Sequence, residues 1–249
     1  MKKVFVKTNN VKKFIALMNN LRNRAEGVPG MGLVYGEPGL GKTYAITWWA
    51  IHNNAVYIRC ANHMSSRWLL EELVEELGEI PYTKLSDIFN QVVSQLIKQP
   101  RIIIVDEIDY LTMESRAVET LRDIHDKTDV PILLIGMGSA NRRLMRHKHL
   151  YDRISEIQKF ELFTKAEISQ IIDELAEVNM TDCAKNFIYS RTKRFRQIVK
   201  LINKAEQVAK SNGLSSVDET TLKEFVNDEV SNQDVELNLS NTEISKRSK

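Results

Sequence analysis

Two periodicities of apolar and polar positions divide this 249-residue chain into helix-like and strand-like segments. Val11, Phe14, Ile15, Met18 and Leu21 recur at helical spacing, with Thr8 as N-cap and Gly27-Val-Pro-Gly30 as stop, so an amphipathic helix is predicted over residues 9–26. Met31-Gly-Leu-Val-Tyr35 and Ala55-Val-Tyr-Ile-Arg-Cys60 are short β-rich runs; Arg101-Ile-Ile-Ile-Val-Asp106-Glu107 and Val130-Pro-Ile-Leu-Leu-Ile-Gly136 are nearly continuous in apolar, mostly branched residues, the mark of strands buried on both faces. Helical spacing returns between them over residues 44–51, 65–77, 85–98 and 114–127. Strands alternating with helices of this length predict an α/β fold, a parallel sheet with helices on both faces, closed by a final strand over 154–162. Beyond Thr164 the pattern is only helical, over 165–178, 182–190, 194–211 and 219–230, so a small helical lobe is expected at 163–230 after a core at 1–162. Residues 231–249 are polar and without periodicity, and are expected to be a disordered tail.

Composition narrows the class. An apolar fraction of 43% and a charged fraction of 27% are those of a globular protein, and no apolar run approaches the roughly 20 residues of a bilayer span. A soluble, cytoplasmic protein with no membrane partner is expected, its two cysteines, Cys60 and Cys183, reduced. The net charge of +2 hides an uneven spread: Lys2, Lys3, Lys7, Lys12, Lys13, Arg22 and Arg24 stand against the single acid Glu26, while Glu71, Glu72, Glu75, Glu76 and Glu79 crowd one later helix. The C-terminal lobe is basic again, from Lys185 to Lys210. Such asymmetry suits a polyanionic partner, although solvated helix faces produce it equally well.

The stretch with the most specific chemistry is Gly36, Glu37, Pro38, Gly39, Leu40, Gly41, Lys42 and Thr43, entered from a strand and left through Tyr44 into a helix. It fits the phosphate-binding loop at every fixed position. Glycines let consecutive N–H groups turn toward a polyphosphate, and the following helix N-terminus adds its dipole. Lys42 is expected to reach the β- and γ-phosphates of ATP and Thr43 to hold Mg²⁺. Downstream, Asp106 and Glu107 end an apolar strand; Asp106 is expected in the Mg²⁺ shell, and Glu107 is expected to position and polarise the attacking water. A glutamate there favours hydrolysis of ATP by water over transfer to a small molecule.

The phosphate loop, the Ile102-Ile-Ile-Val-Asp-Glu107 strand, the Pro131-Ile-Leu-Leu-Ile-Gly136 strand and the helical lobe together resemble an AAA+ ATPase, over about residues 5–230. The resemblance implies a three-layer P-loop sandwich followed by a helical lid. More narrowly, Leu121–Gly136 and the short lead-in to the loop resemble the transposition regulators MuB and TnsC. That likeness implies an ATPase that oligomerises on duplex DNA without reading sequence, as a helical filament or ring, selects target DNA and stimulates a transposase. It also implies an arginine finger at Arg153, serving a neighbouring subunit's γ-phosphate, and a lid sensor at Arg196 with Arg194 as rival. DNA contacts are implied between the second and third core strands, at Arg67, Thr83 and Lys84. The tip of the fourth core strand departs from the family pattern: Met137 stands where a polar side chain is usual, so either Ser139 takes that role or hydrolysis is slow. A helicase loader similar to DnaC or IstB shares these features, and a nucleotide-gated switch that binds only protein is the alternative from another class.

Overall fold

A computed structural model of the protein describes residues 1–224, which divide into two compact units: Lys7–Leu162, and Met1–Val6 together with the chain from Phe163 onward. The first unit runs α1 (Asn9–Arg22), β1 (Met31–Gly36), α2 (Lys42–His52), β2 (Val56–Arg59), α3 (Ser66–Glu76), α4 (Leu85–Lys98), β3 (Ile103–Asp106), α5 (Ser115–Thr128), β4 (Ile132–Gly136), α6 (Ala140–Leu144), α7 (Lys148–Tyr151) and β5 (Ile154–Phe160). Its five strands are all parallel, in the order β2-β3-β4-β1-β5.

The apolar runs explain the layering, because consecutive residues of a strand point to opposite faces. Met31, Leu33, Ile103, Val105, Ile132 and Leu134 enter one buried cluster with Leu69, Leu73, Val92, Leu96, Leu121 and Ile124, that is, with α3, α4 and α5. Val34, Ile104, Leu133 and Ile135, one residue out of phase, enter the opposite cluster with Phe14, Met18 and Leu21 of α1 and Ile46 and Trp49 of α2. All residues of β3 and β4 are buried. A core Leu here cut to Ala would cost about 2–5 kcal/mol.

The edge strand β5 is covered by α1 through Asn10. Its amide donates to the Glu161 carbonyl at 2.8 Å and its Oδ1 accepts from the Glu161 N–H at 3.1 Å, while Gln158 donates to the Asn10 carbonyl at 2.9 Å. At the opposite end of the sheet from Gly36, buried His125 of α5 joins two strand entries. Its Nε2 accepts from the Gly30 N–H at 3.1 Å, which leaves Nδ1 to donate to the Val130 carbonyl at 2.9 Å.

The second unit contains α8 (Lys165–Leu175), α9 (Asp182–Arg191) and α10 (Phe195–Ser211), with the two-residue strands β6 (Asn179–Met180) and β7 (Ser216–Val217) paired in parallel. Thr164 and Glu167 form a capping box that starts α8, and the Thr181 hydroxyl caps α9. The core expected at 1–162 needs a correction at its start, because Met1–Val6 belong to the helical unit. Val6 is buried among Phe163, Ile168, Ile198 and Ile202, and the Lys2 N–H donates to the Leu175 carbonyl at 2.8 Å. The expected tail at 231–249 and the end of the helix expected at 219–230 lie outside the described residues.

Candidate active site

The loop Gly36–Thr43 leaves the C-terminal end of β1 and enters α2. Gly39 and Gly41 have φ of 83° and 85°, the left-handed region in which a side chain is strained. Gly36 is required by a close approach instead, since a Cβ on it would stand 2.6 Å from the carbonyl oxygen of Phe160. Gly41 is the N-cap of α2 and has no side chain with which to cap, so the first N–H groups of the helix face the loop as an anion site. Leu40 is buried and anchors the loop, while Glu37, Pro38 and Tyr44 are exposed and Gly39 half-buried. Lys42 lies across the loop, its ammonium donating to the Gly36 and Glu37 carbonyls at 2.6 and 3.0 Å.

Asp106, at the end of β3, meets this loop directly. Its Oδ2 accepts from the Thr43 hydroxyl at 2.9 Å and from the Tyr57 hydroxyl at 2.8 Å, and its Oδ1 accepts from the Glu107 N–H at 2.8 Å. Three donors account for a carboxylate that is only 3% exposed. Burial first, then the adjacent Asp106 charge, pushes the Tyr57 phenol up, so it stays a proton donor. Buried Cys60 is pushed up for the same two reasons, which makes its thiol inert.

Glu107 stands at φ 57°, which a non-glycine residue adopts only where its surroundings enforce it, at an order of 1–3 kcal/mol. The enforcing bonds are its own N–H to Asp106 and the Ile108 N–H to the Ile135 carbonyl at 2.9 Å. Its carboxylate is held by Arg59, at the end of β2, with Nη2 to Oε1 at 2.6 Å. That bond raises the Arg59 pKa further above its ordinary value.

A third acid, Asp109, is missing from the motif reading. It is buried and accepts from the Met137 N–H at 2.6 Å and the Ser139 hydroxyl at 3.5 Å, so it anchors the turn after β4. Ser139 is therefore turned toward Asp109, and Met137 is exposed. The turn lies against the phosphate loop: a Cβ on Gly138 would stand 2.8 Å from Glu37 Oε1. Tyr57, Arg59 and Asp109 had a signal in the sequence, polar residues within or just after otherwise apolar strands.

The other nominated residues of the first unit bond to partners outside this cluster. Arg153, just before β5, forms a two-pronged pair with Asp126 of α5 at 2.9 and 3.1 Å, and its guanidinium holds the Asp126 carboxyl below the usual carboxylate range. Arg67 on α3 binds Glu71 at 2.8 Å and the Thr83 carbonyl at 3.0 Å, which brings Arg67, Thr83 and Lys84 onto one exposed surface. Arg196 is exposed in the first turn of α10, in the helical unit, and Arg194 is its N-cap. Among the described residues no group of three or more His, Cys, Asp and Glu side chains could hold a metal ion, and no helix is long and apolar enough to cross a membrane.

Known proteins resemble this chain in sequence or in fold. A Staphylococcus aureus protein described as a potential ATP-binding protein is 26% identical over 230 residues, 75% of this chain and 83% of that relative. The ORC1 protein of Aeropyrum pernix, solved in complex with DNA, superposes with a TM-score of 0.61 at 15% identity, over 90% of this chain and 65% of that one. The ORC2 protein of the same organism in its ADP form gives 0.70 at 16%, over 90% and 69%. Cdc6p of Pyrobaculum aerophilum gives 0.61 at 17%, over 87% and 65%. This chain thus spans about two thirds of the length of those solved proteins, and at these identities the likeness is one of fold. Residues 25–144 match the AAA domain family, and the chain has the α/β fold, with its parallel five-stranded sheet, of the P-loop AAA+ ATPases.

Proposed function

We propose that this protein binds and hydrolyses ATP and uses the cycle to control an assembly on duplex DNA. The observation that carries the first half is the convergence of Lys42, Thr43, Asp106 and Glu107 at the carboxyl ends of β1 and β3. Loop N–H groups and Lys42 would hold the β- and γ-phosphates, a role in which a cation and a helix N-terminus reinforce each other. Thr43 and Asp106 offer hard oxygen donors 2.9 Å apart, which fits Mg²⁺. When bound, that ion would neutralise charge on the phosphates. Glu107 would orient water toward the γ-phosphate and accept its proton, once its carboxylate is released from Arg59. Arg153, partly exposed before β5, would act in trans on a neighbouring subunit's nucleotide once released from Asp126, and Arg196 would report nucleotide state to the lid.

DNA binding is supported by the basic segments around α1 and α10 and by the fold shared with an ORC1 protein solved on DNA. Contacts from Arg67, Thr83 and Lys84 would go to phosphate and sugar, giving salt-sensitive, sequence-independent affinity. The transposition-regulator reading rests on the Leu121–Gly136 resemblance, and a helicase loader, which would share the same phosphate loop and Asp106-Glu107 pair, is the second reading. Purified protein should release phosphate from ATP. Lys42→Ala should lose nucleotide binding, and Glu107→Gln should keep binding while losing turnover; wild-type turnover in Glu107→Gln would remove the catalytic assignment. Fluorescence anisotropy with duplex DNA, with and without a non-hydrolysable ATP analogue at two salt concentrations, should show nucleotide-dependent binding. No binding in any condition would leave a nucleotide-gated protein switch.

A further inference from the structure

At the end of the sheet opposite the phosphate loop, the entries to β2, β3 and β4 enclose a cleft of 280 Å³ lined by Arg22, Arg24, Asn53, Asn54 and Arg101, with Pro100, Ile102 and Pro131. The length of β1, six residues at about 3.3 Å each, separates it from Gly36 by about 20 Å. Its volume is just below the ordinary range for small-molecule sites, about 300–1,000 Å³, so it suits a compact group.

The charge in the cleft is unbalanced. Arg24 is neutralised by Asp129 at 2.6 Å and spends its other donors on the Leu21 and Val28 carbonyls. Arg101 donates to the Asn54, Ala55 and Glu76 carbonyls, which fixes its guanidinium without neutralising it and leaves an N–H on each terminal nitrogen. Arg22 lies 5.0 Å over the Trp49 ring, and among the described residues it has no carboxylate or hydrogen-bond partner. Pro100 and Pro131 contribute no N–H, and the exposed Asn54 amide adds a neutral donor beside the guanidinium groups.

We infer that this cleft binds a phosphoryl group through Arg22, Arg101 and Asn54. Two guanidinium charges remain without a counter-ion, which matches the −1.5 to −2 of a phosphoryl group, about twice the charge of a carboxylate. Arginine forks are suited to its oxygens, and a ring beneath Arg22 orients that fork without consuming its donors. The ligand's source is either a small phosphorylated molecule, whose terminal phosphoryl group carries that charge, or a polynucleotide backbone, whose phosphodiesters carry about −1 each and offer the same oxygen acceptors, two of them matching the two guanidinium groups.

Isothermal titration with inorganic tripolyphosphate tests it. The unmodified protein should show two sites, Lys42→Ala one and Arg22→Glu one, and the double variant none. Two sites in Lys42→Ala would contradict the phosphate-loop assignment and leave the cleft to be read from Arg22→Glu alone. Undiminished site number and affinity in Arg22→Glu, or no binding in Lys42→Ala, would overturn the cleft. Arg22→Gln, which removes the charge without adding one, should weaken tripolyphosphate at least tenfold at an unchanged melting temperature. A second arm uses duplex DNA: if Arg22→Gln lowers affinity and reduces the salt slope by about one, the source is a phosphodiester backbone. If only tripolyphosphate binding falls, the source is a small phosphorylated ligand.

Discussion

On the proposed reading of Glu107 as the group that orients water, removing Arg59 should speed ATP hydrolysis. In the structure its guanidinium sits 2.6 Å from Glu107 Oε1, so the carboxylate that would orient water is occupied by a cation. The pair is only partly shielded, with Arg59 62% and Glu107 27% exposed. Exposed pairs contribute up to about 1 kcal/mol, because solvent screens them and two long side chains lose freedom in forming them. At about 1 kcal/mol the paired form outnumbers the free form about fivefold, so only about one molecule in six has Glu107 free, and Arg59→Ala should raise steady-state phosphate release by up to about sixfold at saturating ATP. At about 1 M salt, where the screening length shrinks to about 3 Å, wild-type and variant rates should converge. Glu107→Gln combined with Arg59→Ala should stay inactive, since the brake and the group it restrains act in series. Unchanged or reduced turnover in Arg59→Ala would refute the reasoning. So would a rise beyond about thirtyfold, which needs more than such a pair can hold.

Arg153→Ala should abolish hydrolysis while isolated subunits still bind ATP, and mixing it with Lys42→Ala protein should restore turnover; failure of that mixture would count against a shared site. Asp126→Asn should lower stability by less than about 1 kcal/mol at neutral pH, because its half-exposed pair with Arg153 is lost. Since Arg153 lowers the Asp126 pKa in the folded protein, the contribution is complete above the ordinary aspartate value near 4 and disappears as pH falls through the folded value. A difference that grows on acidification would contradict this. Gly136→Ala should lower the melting temperature, because its Cβ would stand 2.2 Å from Ala140 Cβ and 2.8 Å from Asp109 Oδ2, an overpacking of about 1–3 kcal/mol.

What could be read in the sequence depended on how far apart the interacting residues lie along the chain. The strands and the long helices followed from local periodicity, and the apolar runs of β3 and β4 announced burial on both faces because no polar residue interrupts them. The observed β3 is shorter than the apolar run, since Arg101 turns back to cap carbonyls and Ile102 precedes the ladder. The short helices α6 and α7 and the two-residue strands β6 and β7 are too brief to show a period in the sequence. At the site, the phosphate loop and the Asp106-Glu107 pair are contiguous patterns and were visible. Arg59 and Tyr57 reach Asp106 and Glu107 only through the parallel register of β2 on β3, and Asp109 meets Met137 only once β4 lies beside β3. The docking of Val6 among helices more than 150 residues away leaves no local trace.

The cluster around Asp106 also determines how the site would fail. Asparagine has the shape of aspartate, but one of its two head atoms is an N–H donor. The Glu107 N–H is fixed in the backbone and must face the oxygen, so the new amide would be turned toward Thr43 and Tyr57. Both hydroxyls can rotate to accept, which keeps the fold intact. Rotation swings the Thr43 hydrogen outward, into the space where its lone pair would have met a cation. An isosteric change at Asp106 therefore inverts the polarity of the cluster while leaving its outline unaltered.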